Sequence, residues 1–165
     1  MSIEAPAARR VPAERLWRLS TWLLSKVANR GFRLVADRVG GAGVAASYSL
    51  LAALDEFGPV SQATLGRLLG IDRSDIVAIL NDLERDGLAV RAPDDRDRRR
   101  NSITITPVGA RALRRLDDLV ADAQDALLEP LSAAERRQLV ALLRRLYAHH
   151  AAPTHVSPAS ERPDG

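Results

Sequence analysis

Apolar residues recur every three or four positions through most of the chain, and this spacing predicts a mainly α-helical fold. The first apolar pattern predicts one long helix over residues 15–38, which ends at the glycine-rich stretch 40–43. A second helix is expected over residues 44–57, where Gly58 and Pro59 stop it.

Two shorter helical patterns follow, joined by a turn of about three residues. Ser61 is placed to cap the first of them, and Gly70 suits the left-handed position after its end. Asp72 and Asp75 have the spacing of a capping box for the second helix, with Asp in place of the usual Glu, and Gly87 closes it. Two short helices joined in this way are the sequence form of a helix-turn-helix.

The pattern changes from helical to alternating after residue 87. Residues 88–92 (LAVRA) and 102–106 (SITIT) alternate as β-strands do, and a highly charged stretch separates them. They predict a β-hairpin, and a helix-turn-helix followed by a hairpin is a winged helix whose wing is the hairpin. The predicted fold class is therefore mainly α with a small β-hairpin wing (α+β), comprising a winged helix-turn-helix domain and a helical dimerisation region.

Two more helices are predicted after the hairpin. Thr106 and Pro107 suit the start of one, which Pro130 ends, and Ser132 with Glu135 has the spacing of a capping box for the next. The apolar stripes of the terminal helices exceed what one winged helix needs, so they predict a homodimer. The predicted dimer interface consists of Leu16, Leu19, Leu23, Leu116, Val120, Leu127, Leu139, Leu142, Leu143 and Leu146.

These patterns divide the chain into four regions. We expect a flexible N-terminal arm at residues 1–14, and a disordered tail rich in Pro and Ser at residues 151–165. Residues 42–106 form the predicted winged helix-turn-helix domain. Residues 15–40 and 107–150 together form the predicted helical dimerisation region.

Composition limits the function without defining it. With 46% hydrophobic and 27% charged residues, the 165-residue chain has the make-up of an ordinary soluble domain. It contains no cysteine, which removes disulfides, thiolate metal sites, cysteine nucleophiles and thiol-based peroxide sensing. No stretch has the length of a signal-peptide core or a membrane span, so we expect a cytoplasmic protein with no membrane partner.

Charge is unevenly distributed within a chain whose formal net charge is +3. Residues 72–86 contain five acidic residues against two arginines, a net charge of −3. Residues 91–100 contain five arginines against three aspartates, a net charge of +2. The positive charge is therefore on the predicted wing, where it would attract phosphate.

Catalytic and cofactor-binding patterns are missing from the sequence. There is no G-x-S-x-G and no Walker loop, and the glycine-rich stretch 40–43 follows a predicted helix rather than a strand. His149, His150 and His155 have no acid or thiolate nearby at metal-ligand spacing. We therefore expect no enzyme activity, no metal and no cofactor.

The charged stretch and the residues after it resemble the MarR (multiple antibiotic resistance regulator) family of winged-helix transcription factors. Residues 94–99 (DDRDRR) match the family's D-x-R-D-R-R, and Ile105, Thr106 and Gly109 match its L-T-x-x-G. Residues 72–74 resemble the start of its recognition helix more weakly, and the whole resemblance covers residues 15–150. It implies a homodimer whose first, fifth and sixth helices interlock and which binds roughly palindromic double-stranded DNA. Most such proteins are repressors that small phenolic or anionic ligands release.

The predicted recognition helix departs from the family's pattern. Val77 and Ala78 stand where a Thr-Arg pair is common, and Asp82 stands where a base is frequent. This acidic character keeps a second hypothesis open, in which the winged helix is a protein-interaction module with little sequence-specific DNA binding.

Three groups of residues are the predicted DNA contacts. The recognition-helix group, assigned to the major groove, is Arg73, Ser74, Asp75, Val77, Ala78 and Asn81. The wing group is Arg96, Asp97, Arg98, Arg99 and Arg100, with Arg99 in the minor groove and Asp97 orienting an arginine. The group assigned to the DNA backbone is Ser61, Gln62 and Thr64. Asp75 and Ser61 also suit purely structural caps, and the wing also suits a solvated hairpin tip.

A pocket for a small aromatic or anionic effector is predicted around Trp17, Trp22 and Tyr48, with Arg18 one helical turn before Trp22. The alternative interpretation of these side chains is that they are aromatic residues of a dimer core.

Overall fold

The computed structural model of the protein describes residues 13–93 and 101–151. The predicted wing residues 94–100 lie outside this part, as do residues 1–12 of the predicted arm and 152–165 of the predicted tail. The helices are α1 Glu14–Trp17, α2 Ser20–Val39, α3 Ala42–Phe57, α4 Gln62–Leu69, α5 Arg73–Arg85, α6 Pro107–Leu128 and α7 Ala133–Ala151. The strands are β1 Val60–Ser61, β2 Ala89–Pro93 and β3 Asn101–Ile105.

The chain separates into two compact units, Met1–Leu127 and Leu128–Gly165. The first contains the helix-turn-helix, formed by α4 and α5, and an antiparallel sheet in the order β1-β3-β2. The second contains α7. The predicted fold class, mainly α with a β-hairpin wing, is confirmed. Within the described residues, no helix combines the length and apolar character that crossing a membrane requires.

The single helix predicted over residues 15–38 is wrong, because the chain breaks between α1 and α2. Leu19 has an extended backbone, with φ −95° and ψ 104°, and its carbonyl accepts from the Leu23 N–H at 3.1 Å to begin α2. In an unbroken helix, residues five apart differ by about 140° in direction, so Trp17 and Trp22 would be separated. The break lets their rings meet edge to face, with centroids 6.3 Å apart.

The turn between α4 and α5 follows local capping rules only in part. Ser61 is confirmed as the cap of α4, since its Oγ accepts from the Thr64 N–H at 3.2 Å, and Gly70 takes the left-handed φ of 63° after it. The capping box predicted at Asp72 and Asp75 is wrong. Asp72 has the extended backbone of an N-cap, but its side chain accepts no capping hydrogen bond. Asp75 also lacks the extra methylene with which Glu reaches back in such a box.

The core of the winged helix is a layer of aliphatic side chains between α3, α4, α5 and the sheet. Its largest fully buried members are Leu50, Leu51, Leu54, Leu65, Ile76, Leu80, Leu83 and Ile103. Ile103 belongs to the central strand β3, where it pairs with Val60 on one side and Arg91 on the other. The sequence prediction missed β1, because two residues are too short to show alternation.

The predicted capping box in the second unit is confirmed. Oε2 of Glu135 accepts from the Ser132 N–H at 2.8 Å, and the Ser132 Oγ accepts from the Glu135 N–H at 3.4 Å. Hydrogen bonds from the Ser132 side chain and backbone stabilise the carboxylate and lower the pKa of Glu135 below its ordinary value. Contacts between residues three positions apart therefore define the start of α7.

The hairpin is attached to α6 at a very close contact beside Gly109. Thr106 caps α6, since its Oγ1 accepts from the Gly109 N–H at 3.0 Å. The Thr106 N–H donates to the Leu88 carbonyl at 3.0 Å, just before β2. A Cβ on Gly109 would overlap that same carbonyl oxygen. Glycine is thus required here by close backbone approach.

We expect Gly109→Ala to destabilise the fold strongly. The added Cβ would overlap the Leu88 carbonyl and lie 2.9 Å from Cγ1 of Ile105, and backbone cannot yield as a flexible side chain does. Overpacking costs about 1–3 kcal/mol, and a backbone clash places this variant near the upper end. Urea unfolding at one fixed protein concentration measures the change in stability.

Gly43→Ala is the matched control. Gly43 lies within α3 and has open space where a Cβ would be, so alanine should raise the free energy of unfolding by about 0.5 kcal/mol through helix propensity. If Gly109→Ala proved as stable as the unmodified protein, α6 would not press on the Leu88 carbonyl.

Candidate nucleic-acid interface

The outer face of α5 is fixed by what its inner face buries. Ile76 and Leu80 pack into the core with almost no exposed surface. Ser74, Ala78 and Asn81, spaced four and three residues apart, are exposed on the opposite side of the helix. Three of the six predicted recognition-helix residues thus form one continuous stripe.

The other three recognition-helix residues flank this stripe. Arg73 and Asp75 are exposed in the first turn of α5, and Val77 is half-buried at its margin. All six therefore lie on or beside one surface of α5. Arg73 also borders a groove of about 830 Å³ between the two helices of the helix-turn-helix.

The groove joins α5 to the residues predicted to contact the DNA backbone. Ser61 and Gln62 line it, together with Arg67 of α4 and Asn101 of β3, which the sequence analysis did not single out. Arg67 donates from Nη2 to Oγ1 of Thr64 at 3.2 Å, and that Oγ1 is 3.0 Å from the Ser61 Oγ. The signal available for Arg67 was its position one helical turn after Thr64.

The base of the hairpin is tied to the last turns of α5 by Arg91. Its backbone N–H donates to Oε1 of Glu84 at 3.1 Å, and its Nη1 donates to Oε2 of the same carboxylate. Nη1 also donates to Oδ1 of Asn81 at 2.9 Å. Sequence reasoning missed Glu84 and Arg91 as members of the site, because only the fold brings the strand beside the helix.

These contacts moderate the acidic character of α5. Arg85 pairs with Asp82 at 2.8 Å and with Asp86 at 3.4 Å, and Arg91 reaches Glu84 from the neighbouring strand. Adding Arg91 to the sum over residues 72–86 changes its net charge from −3 to −2. The remaining acids, Asp72 and Asp75, lie at the helix N-terminus, where the helix dipole favours negative charge.

A separate cleft of about 590 Å³ lies between α2, α3 and α6, within the first unit. Of the four residues predicted to form an effector pocket, only Tyr48 lines it. Trp17 and Trp22 contact each other instead, and Arg18 pairs with Glu14 at 3.5 Å on the surface.

Tyr48 connects α3 to α6 at this cleft. Its hydroxyl donates to Oδ1 of Asp117 at 3.0 Å. Burial, followed by the hydrogen bond to Asp117 and the charge of that carboxylate, raises the pKa of the Tyr48 phenol above its ordinary value of 10.0. The phenol is therefore held in its neutral, donating form.

The residues predicted for the dimer interface divide into three groups. Val120 and Leu127 line the cleft. Four others are exposed in a single chain despite being apolar: Leu19, Leu142, Leu143 and Leu146. Leu16, Leu23, Leu116 and Leu139 are half-buried. Among the described residues, no cluster of three or more His, Asp or Glu side chains is arranged to hold a metal ion.

The helix-turn-helix with its outward α5 face, followed by a hairpin on the same core, defines a winged-helix protein. A family model described as MarR family matches residues 45–100. A Pseudomonas aeruginosa structure described as a "probable transcriptional regulator" is 31% identical, with a TM-score of 0.72 over 80% of this chain and 99% of that one. The chain belongs to the MarR family of transcriptional regulators.

A curated relative from Thauera aromatica, the "putative transcriptional regulatory protein for hcr operon", is 39% identical over 100 residues. The match covers 61% of this chain and 60% of that protein. The chain spans about three fifths of the length of the curated relatives it matches.

Two further solved structures contain bound molecules. The transcriptional repressor CouR, bound to a 23-mer DNA duplex, is 29% identical with a TM-score of 0.72, over 82% of this chain and 97% of that one. The regulator PcaV from Streptomyces coelicolor, in complex with its natural ligand, is 29% identical with a TM-score of 0.71, over 84% of this chain and 98% of that one.

Proposed function

We propose that the protein is a sequence-specific DNA-binding regulator, acting as a homodimeric repressor that a small ligand releases from a palindromic operator. One observation carries the DNA-binding part: α5 buries one face and leaves Ser74, Ala78 and Asn81 exposed on the other. A helix of this kind fits the major groove and reads base edges from its outer face. The DNA duplex bound by CouR, a similar structure, supports the proposal.

Each part of the surface has a proposed role. Ser74 donates to or accepts from base edges or phosphate, and Val77 and Ala78 contact thymine methyl groups. Arg73 and Arg67, on either side of the groove, hold phosphate oxygens. The wing arginines extend the positive charge into the minor groove, with Arg99 as the inserted residue, an assignment that rests on the sequence.

A second candidate function, a winged helix that binds a protein, is favoured by the acidic residues of α5. Its net charge remains −2 after Arg91 is counted, which repels phosphate. The acids that carry this charge lie at the ends of α5, however, whereas the exposed stripe of Ser74, Ala78 and Asn81 is uncharged. The distribution therefore favours DNA over an acidic protein-contact surface.

The wing and α5 should affect DNA binding in different ways. Arg99→Ala, present twice in a dimer, should weaken operator binding by roughly tenfold to several thousandfold and flatten the dependence on log salt concentration by about one unit for each phosphate contact removed. Ser74→Ala should instead relax sequence preference and leave that slope similar. Fluorescence anisotropy on operator and scrambled DNA at several salt concentrations measures both quantities.

One result would count against DNA binding and another against the role of the wing. If the unmodified protein showed no preference for its operator over scrambled DNA at any salt concentration, the protein-contact function would be favoured. If Arg99→Ala bound the operator as tightly as the unmodified protein throughout, the wing would be a solvated hairpin.

The homodimer is proposed from the apolar surface that a single chain leaves exposed. Leu142, Leu143 and Leu146 share one face of α7 and are 47%, 38% and 51% exposed. Several leucines on one helix face are rarely left in water, and a second copy of the same helix region is a symmetric way to cover them. Folding and association should then occur together, as in obligate dimers.

Leu146→Asp should therefore reduce dimer stability although it touches little within one chain. Two such changes per dimer place charges in a buried interface and should weaken association by about a hundredfold. Ala141→Asp, on the opposite side of α7, is the control and should leave the dimer intact. Multi-angle light scattering checks the prediction, and a folded, monomeric unmodified protein at micromolar concentration would contradict the proposed dimer.

The ligand is proposed to bind the cleft between α2, α3 and α6. Its described lining is mostly alanine and larger aliphatic side chains, with polar groups from Tyr48, Ser49 and Gln124 and no charged residue. A carboxylate placed there would lose water without gaining a cation, and Asp117 beside Tyr48 would repel it. The cleft therefore suits a small neutral aromatic ligand.

Benzamide and benzoate, which share a ring and differ in charge, separate these possibilities. Benzamide at ten times its Kd should contribute about 1.4 kcal/mol of stability, raise the thermal midpoint by about 4 °C and weaken operator binding. Benzoate should have none of these effects. Ala46→Leu, which fills the cleft, should abolish the benzamide response, whereas Ala121→Leu on the exposed surface of α6 should not. An equal response to benzoate would show that the cleft does not select by charge.

A further inference from the structure

Asn81 lies in the exposed stripe of α5, yet one end of its amide is already engaged. Nη1 of Arg91 donates to its Oδ1 at 2.9 Å. A guanidinium has donors and no acceptor, so the amide atom that faces Arg91 must be the oxygen. Among residues 13–93 and 101–151, nothing accepts a hydrogen bond from the amide nitrogen.

Arg91 is itself held in place by Glu84. The carboxylate accepts hydrogen bonds from the backbone N–H of Arg91, at 3.1 Å, and from its guanidinium. Only 23% of the Arg91 side chain and 29% of the Glu84 side chain are exposed. Charge-assisted hydrogen bonds at a partly buried site of this kind keep the guanidinium from turning away.

We infer that Arg91, positioned by Glu84, fixes the orientation of the Asn81 amide so that it presents its NH₂ group to DNA. The inference rests on the proposed DNA-binding function. An unrestrained Asn presents either oxygen or nitrogen, and it commonly uses both to pair with adenine. Asn81 turns its oxygen toward Arg91 and is left to donate.

A donor at this place discriminates between bases. Guanine offers O6 and N7 as acceptors in the major groove and thymine offers O4, whereas cytosine offers only its N4 donor. Asn81 should therefore favour guanine or thymine over cytosine at one base pair of each half-site. A phosphate oxygen is also an acceptor, and it would give the same contact without base preference.

Two substitutions of Asn81 test which atom DNA uses. Asn81→Ala removes donor and acceptor together, while Asn81→Asp keeps an oxygen for Arg91, replaces the donor with an acceptor and adds a negative charge that weakens binding to all sequences. Affinity is measured for operators carrying each of the four bases at every half-site position. We expect a preference of about fivefold for guanine or thymine over cytosine at one position. Asn81→Ala should abolish it, and Asn81→Asp should abolish it or reverse it toward cytosine, whose N4 donates to a carboxylate. If Asn81→Asp retained the preference of the unmodified protein, the oxygen would be the reading atom and the inference would be wrong.

Phosphate contact gives a different pattern. In that case Asn81→Ala weakens binding to operator and to scrambled DNA by the same factor, and no base position shows a change in preference. A variant Asn81→Ala that binds every sequence as the unmodified protein does would overturn the inference for both kinds of acceptor.

The role of Arg91 is tested with the double variant Glu84→Gln/Arg91→Met. Changing both residues avoids leaving a partly buried carboxylate without its cation. The variant should alter the base preference at the same base pair as Asn81→Ala does. If the acceptor is phosphate, it should weaken binding to all sequences by the same factor. It should have no further effect in the Asn81→Ala background, because it acts through Asn81. Additive effects would show that Arg91 acts independently.

Arg85→Met is the matched control for this series. Arg85 is an exposed arginine near the end of the same helix and pairs with Asp82 and Asp86. Its removal should leave base preference unchanged, and thermal unfolding confirms that each variant is folded. If the double variant fails to fold, the comparison of Asn81→Ala with Asn81→Asp still decides the inference. Failure of the unmodified protein to prefer operator over scrambled DNA would instead reject the proposed function.

Discussion

Burial of one face of α5 is the constraint on which the candidate interface depends. Ile76, Leu80 and Leu83 are almost fully buried. Burial of each side chain stabilises the fold by roughly 1.5–3 kcal/mol relative to its exposure to water. Only one rotation of the helix buries all three. The same packing therefore turns Ser74 and Asn81 outward, and a change in the core that rotated α5 would alter recognition without touching an exposed residue.

Two contacts of different character hold the hairpin, one to α6 and one to α5. At Gly109 the attachment is steric, because the first turn of α6 lies directly against the Leu88 carbonyl. At Arg91 it is electrostatic and directional, through the carboxylate of Glu84. The first contact joins the strands to α6 and the second joins them to α5. Together they determine where the wing starts.

Sequence patterns were sufficient where the interaction is local. Ser61 and Ser132 cap helices through residues three positions away, so spacing alone identified them. Leu19 breaks the first predicted helix although it continues the apolar spacing, because periodicity reflects which side chains are apolar and not the backbone angles between them. The contact between Asn81 and Arg91 spans ten positions and two elements, so no local pattern contains it.

Helix α3 lines the proposed ligand cleft and packs in the core that supports the proposed DNA surface, which gives the two sites a physical connection. Tyr48 faces the cleft from this helix, while Leu50 and Leu54, two and six residues later, belong to the core that also buries Ile76 of α5. A core packed at crystal-like density does not absorb a displacement gradually. A ligand that moved α3 by entering the cleft would thus be opposed both by the Tyr48 hydrogen bond to Asp117 and by the packing of α3 against α5. The ligand can change the affinity for DNA by no more than the difference between its binding free energies for the two positions of α3.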